Sequence, residues 1–139
     1  MAVRTQNLET IAPVLATFKI SQTVNVDDLK DSNIGEPVEL TGNSEVGPLS
    51  TDGQLLGKLV ALTLTDADDG ERVATVQIGG VCRFVISATY PTIGDQVVGG
   101  TSGTVKQAPA VASDPAGGNI GRGTVLDVNG TSNCLVYLN

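Results

Sequence analysis

The sequence contains no histidine and no tryptophan, and its aromatic residues are two phenylalanines and two tyrosines. The lack of histidine excludes a Ser-His-Asp triad, a Cys-His pair and a histidine-ligated metal site. Carbohydrate-binding sites usually stack sugars on exposed aromatic rings, and this chain has few rings to offer. We therefore expect that the protein is not an enzyme and that a carbohydrate-binding barrel is a weak alternative.

Basic residues and long apolar runs are also scarce. The chain has 8 Lys and Arg against 15 Asp and Glu, which leaves a formal net charge of −7. An acidic surface repels phosphate, so we expect no nucleic-acid partner. No apolar run approaches the roughly 18 residues that a transmembrane helix needs. Gln6, Glu9 and Pro13 interrupt the N-terminal apolar positions, so we expect no signal peptide, no membrane partner and synthesis in the cytoplasm.

Motifs for a cofactor or metal are not formed. The three aspartates within residues 66–70 come nearest to a calcium loop. Counted from Asp66, however, Gly70 is the fifth residue and Gln77 the twelfth. An EF-hand requires glycine sixth and glutamate twelfth, so we interpret the segment as a solvated hairpin loop. Residues 53–58 lack the spacing of a phosphate-binding loop. We predict no cofactor, no metal and no catalytic residue.

The most regular pattern lies at residues 74–86. Its first part alternates, with Val76 and Ile78 on one face, and it is rich in β-branched residues, which is typical of a half-buried strand. Gly79 and Gly80 interrupt the alternation, and two glycines inside a strand pattern indicate a bulge or bend. We predict the central strand of a small β-barrel or sandwich, with Gly79 and Gly80 as structural residues.

Turn residues recur from residue 34 onward. The strongest hairpin signal is Asn129 followed by Gly130. Cys82 and Cys134 lie inside apolar strand patterns, which indicates buried free thiols, with a disulfide as the alternative. An internal repeat is also visible, so we predict two pseudo-repeated β units that share one core. Residues 34–38 (Ile-Gly-Glu-Pro-Val) resemble 93–97 (Ile-Gly-Asp-Gln-Val), residues 56–58 (Leu-Gly-Lys) resemble 120–122 (Ile-Gly-Arg), and residues 73–78 align with 133–138.

Residues 1–30 differ from the remainder, because they contain no glycine and Pro13 opposes a helix. We interpret them as an extended N-terminal arm that ends in one strand, followed by a β-barrel-like domain over residues 31–139. The alternative is a segment that packs on its own domain. The predicted partner-binding residues of the arm are its apolar positions Leu8, Ile11, Val14, Leu15, Phe18 and Ile20.

The order of motifs over residues 34–139 resembles a known family. Residues 69–84 read Asp-Gly-Glu-Arg-Val-Ala-Thr-Val-Gln-Ile-Gly-Gly-Val-Cys-Arg-Phe. Ile-Gly-Asp-Gln-Val follows at 93–97, then Ile-Gly-Arg-Gly at 120–123 and Leu-Val-Tyr-Leu at 135–138. This is similar to the small capsid cement (head decoration) proteins of tailed bacteriophages, which show Gly-Glu-x-Val-x-Val-x-x-x-Gly-Val and Gly-Asp-x-Val. The chain departs from that pattern in its longer segment 1–33 and its extended loop 108–119.

The resemblance implies a β-barrel-like domain, often trimeric, that binds the major capsid protein on the outside of a phage head. Such a protein stabilises the capsid against internal DNA pressure and lies on the outer surface of the virion. Two alternatives stay open: a structural β module of a phage tail or baseplate, and a small ligand-binding β-barrel.

Overall fold

A computed structural model describes residues 13–63, 72–109 and 121–138. The described residues form β-strands joined by turns, with one short 3-10 turn at Asp31–Asn33. The all-β fold class is therefore confirmed. The strands are β1 (Val14–Ile20), β2 (Gln22–Thr23), β3 (Val26–Asp27), β4 (Pro37–Gly42), β5 (Glu45–Pro48), β6 (Gly57–Leu62), β7 (Val73–Val85), β8 (Val97–Gly99), β9 (Val105–Gln107), β10 (Thr124–Asn129) and β11 (Asn133–Leu138).

Strand β7 is the centre of the fold, as the sequence predicts. Its first half pairs with β1 and β6, and its second half pairs with β11. The partners change at the double glycine, where Val14 lies opposite Gly79 and Leu138 opposite Gly80. Gly80 has a φ of +87°, a left-handed conformation that side chains disfavour. The predicted bend is thus the point at which the strand passes from one group of strands to the next.

The first group of strands closes into a five-stranded barrel. Its order is β1-β5-β4-β6-β7, and β7 pairs back with β1 to complete the ring. Side chains fill the interior, as they do in small barrels, so the barrel has a packed core in place of a channel. The buried residues of this core are Ile20, Leu29, Val38, Val46, Leu59, Ala74 and Val76.

The predicted arm differs from the structure from Val14 onward. Strand β1 pairs parallel with β5 and antiparallel with β7, so it is a wall of the chain's own barrel. The alternation of Phe18 and Ile20 turns both side chains inward, where Ile20 is buried and Phe18 packs against the core. Residues 1–12, which include Leu8 and Ile11, lie outside the described residues.

The second group of strands follows the bend. The second half of β7 pairs with β11, and β11 pairs with β10. The short strands β8 and β9 pair with each other and reach this sheet through bridges from Val97 to Arg122 and from Ile86 to Val105. Cys82 and Cys134 are buried here and form no disulfide, as the apolar strand patterns predict. The buried core consists of Leu49, Leu55, Cys82, Phe84, Ile86, Val97, Val105, Val125, Cys134, Val136 and Leu138.

The two groups repeat one pattern of hydrogen bonds, and we call residues 14–78 unit A and residues 80–138 unit B. In unit A the N–H of Gly35 donates to the carbonyl oxygen of Leu59 at 2.7 Å. In unit B the N–H of Gly94 donates to the carbonyl oxygen of Val125 at 2.9 Å. Both glycines are left-handed, with φ of +95° and +89°. The predicted match of residues 34–38 with 93–97 therefore holds in three dimensions.

The strand registers extend the repeat. Leu59 lies opposite Val76, and Val125 lies opposite Val136. In each unit the register shifts directly after this pair, so β6 and β10 carry a bulge at the same position. The match of residues 73–78 with 133–138 is confirmed. The match of residues 56–58 with 120–122 is wrong by two positions, because these registers place Gly123 where unit A has Gly57.

The structure shows a further correspondence between the units, at Ser21 and Ser87, that the sequence analysis did not find. Ser21 donates its N–H to the carbonyl oxygen of Val46 at 2.8 Å, and Ser87 donates to that of Val105 at 3.0 Å. Both serines end the sequence Phe-x-Ile-Ser, at residues 18–21 and 84–87. Strand β1 is thus the counterpart of the second half of β7, which explains why it belongs to the barrel.

One segment of unit A has no counterpart in unit B. Gly35 follows Ser21 by 14 positions, whereas Gly94 follows Ser87 by 7. The difference of seven matches the hairpin of β2 and β3 at residues 22–28. Unit B keeps the same strand arrangement without it, so this hairpin is an addition to the repeated fold.

Candidate functional site

The predicted partner-binding residues separate into accessible and inaccessible ones. Val14 and Leu15 are exposed at the start of β1, beside the double glycine of β7. Phe18 is half-buried and Ile20 is buried, so these two side chains serve the barrel core. Val14 and Leu15 are therefore the members of the set that the described structure leaves exposed.

The predicted hairpin at Asn129 and Gly130 is present in the structure. Asn129 lies opposite Asn133, and the loop between β10 and β11 covers residues 130–132. Gly130 has a φ of +58°, and Ser132 donates its N–H to the carbonyl oxygen of Asn129 at 3.0 Å. Gly130 supplies the left-handed residue of the turn, and Asn129 is the last residue of β10 before it.

The added hairpin of unit A carries apolar side chains at its tip. Val24 and Asn25 form its turn, with φ of +51° and +63°. Asparagine tolerates this conformation, but a β-branched valine is strained there. Val24 is 88% exposed, and Val26 beside it is also exposed. The sequence analysis missed this element, because it took the end of the arm as a single strand.

Polar side chains hold the base of this hairpin rigid. Ser21 Oγ and Thr23 Oγ1 each donate to the carboxylate of Asp28 at 2.7 Å. These bonds, that of Ser21 first, lower the pKa of Asp28. Gln22 Nε2 donates to Asp27 Oδ1 at 2.9 Å across the two strands. The tip therefore projects from a fixed base.

A half-buried arginine joins the two units. The guanidinium of Arg122 donates to the carbonyl oxygens of Leu55, Leu56 and Ile78, of which the last is 2.6 Å away. Burial lowers the pKa of Arg122. The guanidinium also borders a cavity of about 440 Å³ that Glu39 and Leu40 help to line. Because its donors are used by backbone oxygens, Arg122 acts here as a structural link.

In unit B the carboxylate of Asp95 stabilises a turn. Asp95 Oδ2 accepts bonds from the N–H of Thr92 at 2.7 Å, from its hydroxyl at 2.9 Å and from Gln107 Nε2 at 3.0 Å. Despite partial burial, these bonds lower the pKa of Asp95, with the backbone N–H first. Across residues 13–63, 72–109 and 121–138, no group of three or more potential ligand side chains could hold a metal ion. The aspartate loop at residues 66–70 lies outside these ranges.

Comparisons with known proteins add no relative. No family model matches the sequence, and neither a curated protein nor a solved structure matches it. In the part of the chain that the structure describes, no helix is long and apolar enough to cross a membrane.

Proposed function

We propose that this chain is a structural protein that binds the outer surface of a phage capsid and stabilises the head. One observation carries the proposal: the residues of the family resemblance coincide with the framework of unit B. Ile-Gly-Asp at residues 93–95 forms the left-handed glycine and the Asp95 turn that support β10. The double glycine Gly79-Gly80 forms the bend of β7. The residues of the resemblance thus hold structural positions in unit B, and the capsid function is proposed from the resemblance that they carry.

The proposed partners are the major capsid protein and two further copies of this chain, as a trimer on the head. The exposed apolar residues Val14 and Leu15 on β1 offer one small contact, and Val24 on the hairpin offers another. Each contact is weak alone, but several contacts on a repeating shell raise the avidity strongly. The acidic net charge of −7 favours solubility of the protein before it binds.

The test is cosedimentation with intact heads of the tailed phage that encodes the chain. We expect the protein to pellet with heads at a saturating ratio and to raise the temperature at which heads rupture. Leu15→Lys should weaken this binding, whereas Thr17→Lys, at another exposed position of β1, should leave it unchanged. Protein that stays in the supernatant at every ratio would contradict the proposal.

Two alternatives predict other results. A tail or baseplate module would form rings or tubes by itself, which electron microscopy of the purified protein would show. A ligand-binding barrel would need an open interior, but Val38, Leu59 and Val76 fill the barrel of unit A. The packed interior therefore favours the structural function over the ligand-binding one.

A further inference from the structure

The sheet of unit B carries apolar side chains on both faces. Cys134 and Val136 of β11 point into the core, so the alternation of the strand places Leu135 and Tyr137 on the opposite face. We call this second surface the outer face of unit B. It comprises Val81, Arg83 and Val85 of β7, Asn133, Leu135 and Tyr137 of β11, and Thr124, Asp127 and Asn129 of β10, which are paired across the strands. The guanidinium of Arg83 donates to Oδ1 of Asn133 within the same face.

Several large side chains of this surface remain in contact with solvent. Val81 and Leu135 are buried within the protomer. Tyr137 is 44% exposed and Val85 is 57% exposed, and the bulge residue Leu126 beside Asp127 is 39% exposed. These three exposed side chains share one sheet face and lie around the buried Leu135. Apolar side chains that share a face mark an interaction surface more reliably than single ones do.

Unit A provides an internal control for this surface. The repeat places Lys19 where unit B has Val85, and Gln77 where it has Tyr137. Thr75 likewise stands where unit B has Leu135. The same fold therefore forms with polar residues at these positions. Apolar residues at the positions of Val85, Leu135 and Tyr137 are therefore not a requirement of the fold, although unit A also has apolar residues, Leu15 and Val60, where unit B has Val81 and Leu126.

The sequence pattern agrees with this contrast. Residues 134–138 (Cys-Leu-Val-Tyr-Leu) form an uninterrupted apolar and aromatic run, whereas residues 74–78 (Ala-Thr-Val-Gln-Ile) alternate. Alternation is typical of a strand with one solvated face, and an unbroken run is typical of a strand that is covered on both faces. Strand β11 therefore has the pattern of a strand that is covered on both sides. Leu135 is already buried within the protomer, which leaves Tyr137 as the exposed part of its outer side.

The charges on this face indicate what covers it. Arg83 lies opposite Leu135, and Leu135 lies opposite Asp127, so one row across the sheet runs from a positive to a negative edge. The two charged edges are about 10 Å apart, because they lie two strand spacings from each other. Rotation about an axis parallel to β11 brings the positive edge of one copy to the negative edge of the next. Rotation about an axis across the strands would bring like charges together.

We propose that the outer face of unit B is a self-association surface, on which other copies of this chain pack about an axis parallel to β11. Arg83 of one copy then lies beside Asp127 of the next, and Tyr137 lies near the axis. This surface would be the contact between the copies of the proposed trimer. The inference rests on the proposed function only for the number of copies, which is three.

The first test is analytical ultracentrifugation of the full chain alone over a range of concentrations. We expect reversible self-association that weakens about tenfold or more in the double variant Val85→Lys/Tyr137→Gln, which installs the residues of unit A. Val26→Lys is the matched control, because Val26 is 55% exposed on the hairpin and should not affect association. A wild-type protein that stays monomeric throughout, or a double variant that associates as well as wild type, would overturn the proposal.

The second test reverses the charges. Arg83→Asp and Asp127→Arg should each weaken association, and the two together should restore it. Within one chain β11 separates these side chains, so restoration requires contact between copies. Thermal melting of each variant in dilute solution verifies that it folds. If the double variant associates as weakly as the single variants, the Arg83–Asp127 contact is contradicted. Because no heads are present, this outcome is independent of head binding, and a failure of head cosedimentation would leave it unchanged.

Discussion

The guanidinium of Arg122 lies 2.6 Å from the carbonyl oxygen of Ile78, so a residue of unit B completes the backbone bonding of unit A. Leu55 and Leu56 accept further bonds from the same guanidinium, just before β6 begins. One side chain thus ties together the segment before β6 and the middle of β7. This link adds to the shared strand β7 in joining the two units.

Replacement of Arg122 by methionine should therefore destabilise the protein. It removes charged hydrogen bonds and leaves partly buried carbonyl oxygens without a donor, for which we expect a loss of about 1.5–3 kcal/mol. Urea unfolding in dilute solution measures the loss. Lys19→Met is the control, because Lys19 is exposed on β1 and its loss should cost within about 0.5 kcal/mol. Equal losses in the two variants would contradict the role of Arg122.

The double glycine of β7 should respond unequally to substitution. Gly80 has a φ of +87°, so Gly80→Ala should cost about 1–2 kcal/mol through backbone strain. A Cβ on Gly79 would lie 3.1 Å from Cγ2 of Val14, an exposed side chain that can shift, so Gly79→Ala should cost less. Urea midpoints of the two variants test this order. Loss of stability only in the Gly79 variant would show that contact with β1, and not the bend, sets the requirement.

The strained turn of the hairpin should be improvable. Val24→Asn relieves a β-branched residue at a φ of +51°, and we expect a gain of up to about 1 kcal/mol. For a chain of this size the melting temperature should rise by roughly 3–5 °C. Val26→Asn, in the adjacent strand β3, should bring no gain. A lower melting temperature for the Val24 variant would mean that the tip does not hold this turn in solution.

Stability should fall in acid partly through Asp95. Its pKa in the folded protein is lowered below the ordinary value of 3.8, first by the N–H of Thr92. The folded state therefore favours the charged carboxylate, and this contribution is present above the unfolded pKa. It is lost as the pH falls from there through the lower, folded pKa. Urea midpoints measured across this range should depend less on pH in Asp95→Asn, and Thr92→Val should give an intermediate profile. An unchanged slope in Asp95→Asn would assign the acid sensitivity to other groups.

Local sequence patterns were sufficient for much of unit B and for β7. Alternation at residues 74–78 predicted a half-buried strand, and the double glycine predicted the bend, because both depend on backbone geometry within a few residues. The Ile-Gly repeat at residues 34–35 and 93–94 was visible for the same reason. The register of β10 was not visible locally, since the choice between Gly121 and Gly123 depends on pairing with β11.

The candidate surfaces were less accessible to sequence reasoning. The hairpin tip at Val24 was missed because valine is an unusual turn residue, so no turn signal marks it. The outer face of unit B had a visible signal in the unbroken apolar run at residues 134–138. We inferred a role for this run only after the repeat showed that Lys19 and Gln77 are the polar counterparts of Val85 and Tyr137.

The sequence by itself determined that this protein is all-β, acidic and built from two similar units, because composition, turn residues and alternation act over short stretches of chain. Only the tertiary structure decided that β1 is a barrel strand and not a free arm. The alternating sequence of a strand is the same whether the strand belongs to a barrel or to a free arm. Its place depends on hydrogen bonds from residues 14–20 to β5 and to the distant β7, and those partners exist only once the barrel has closed.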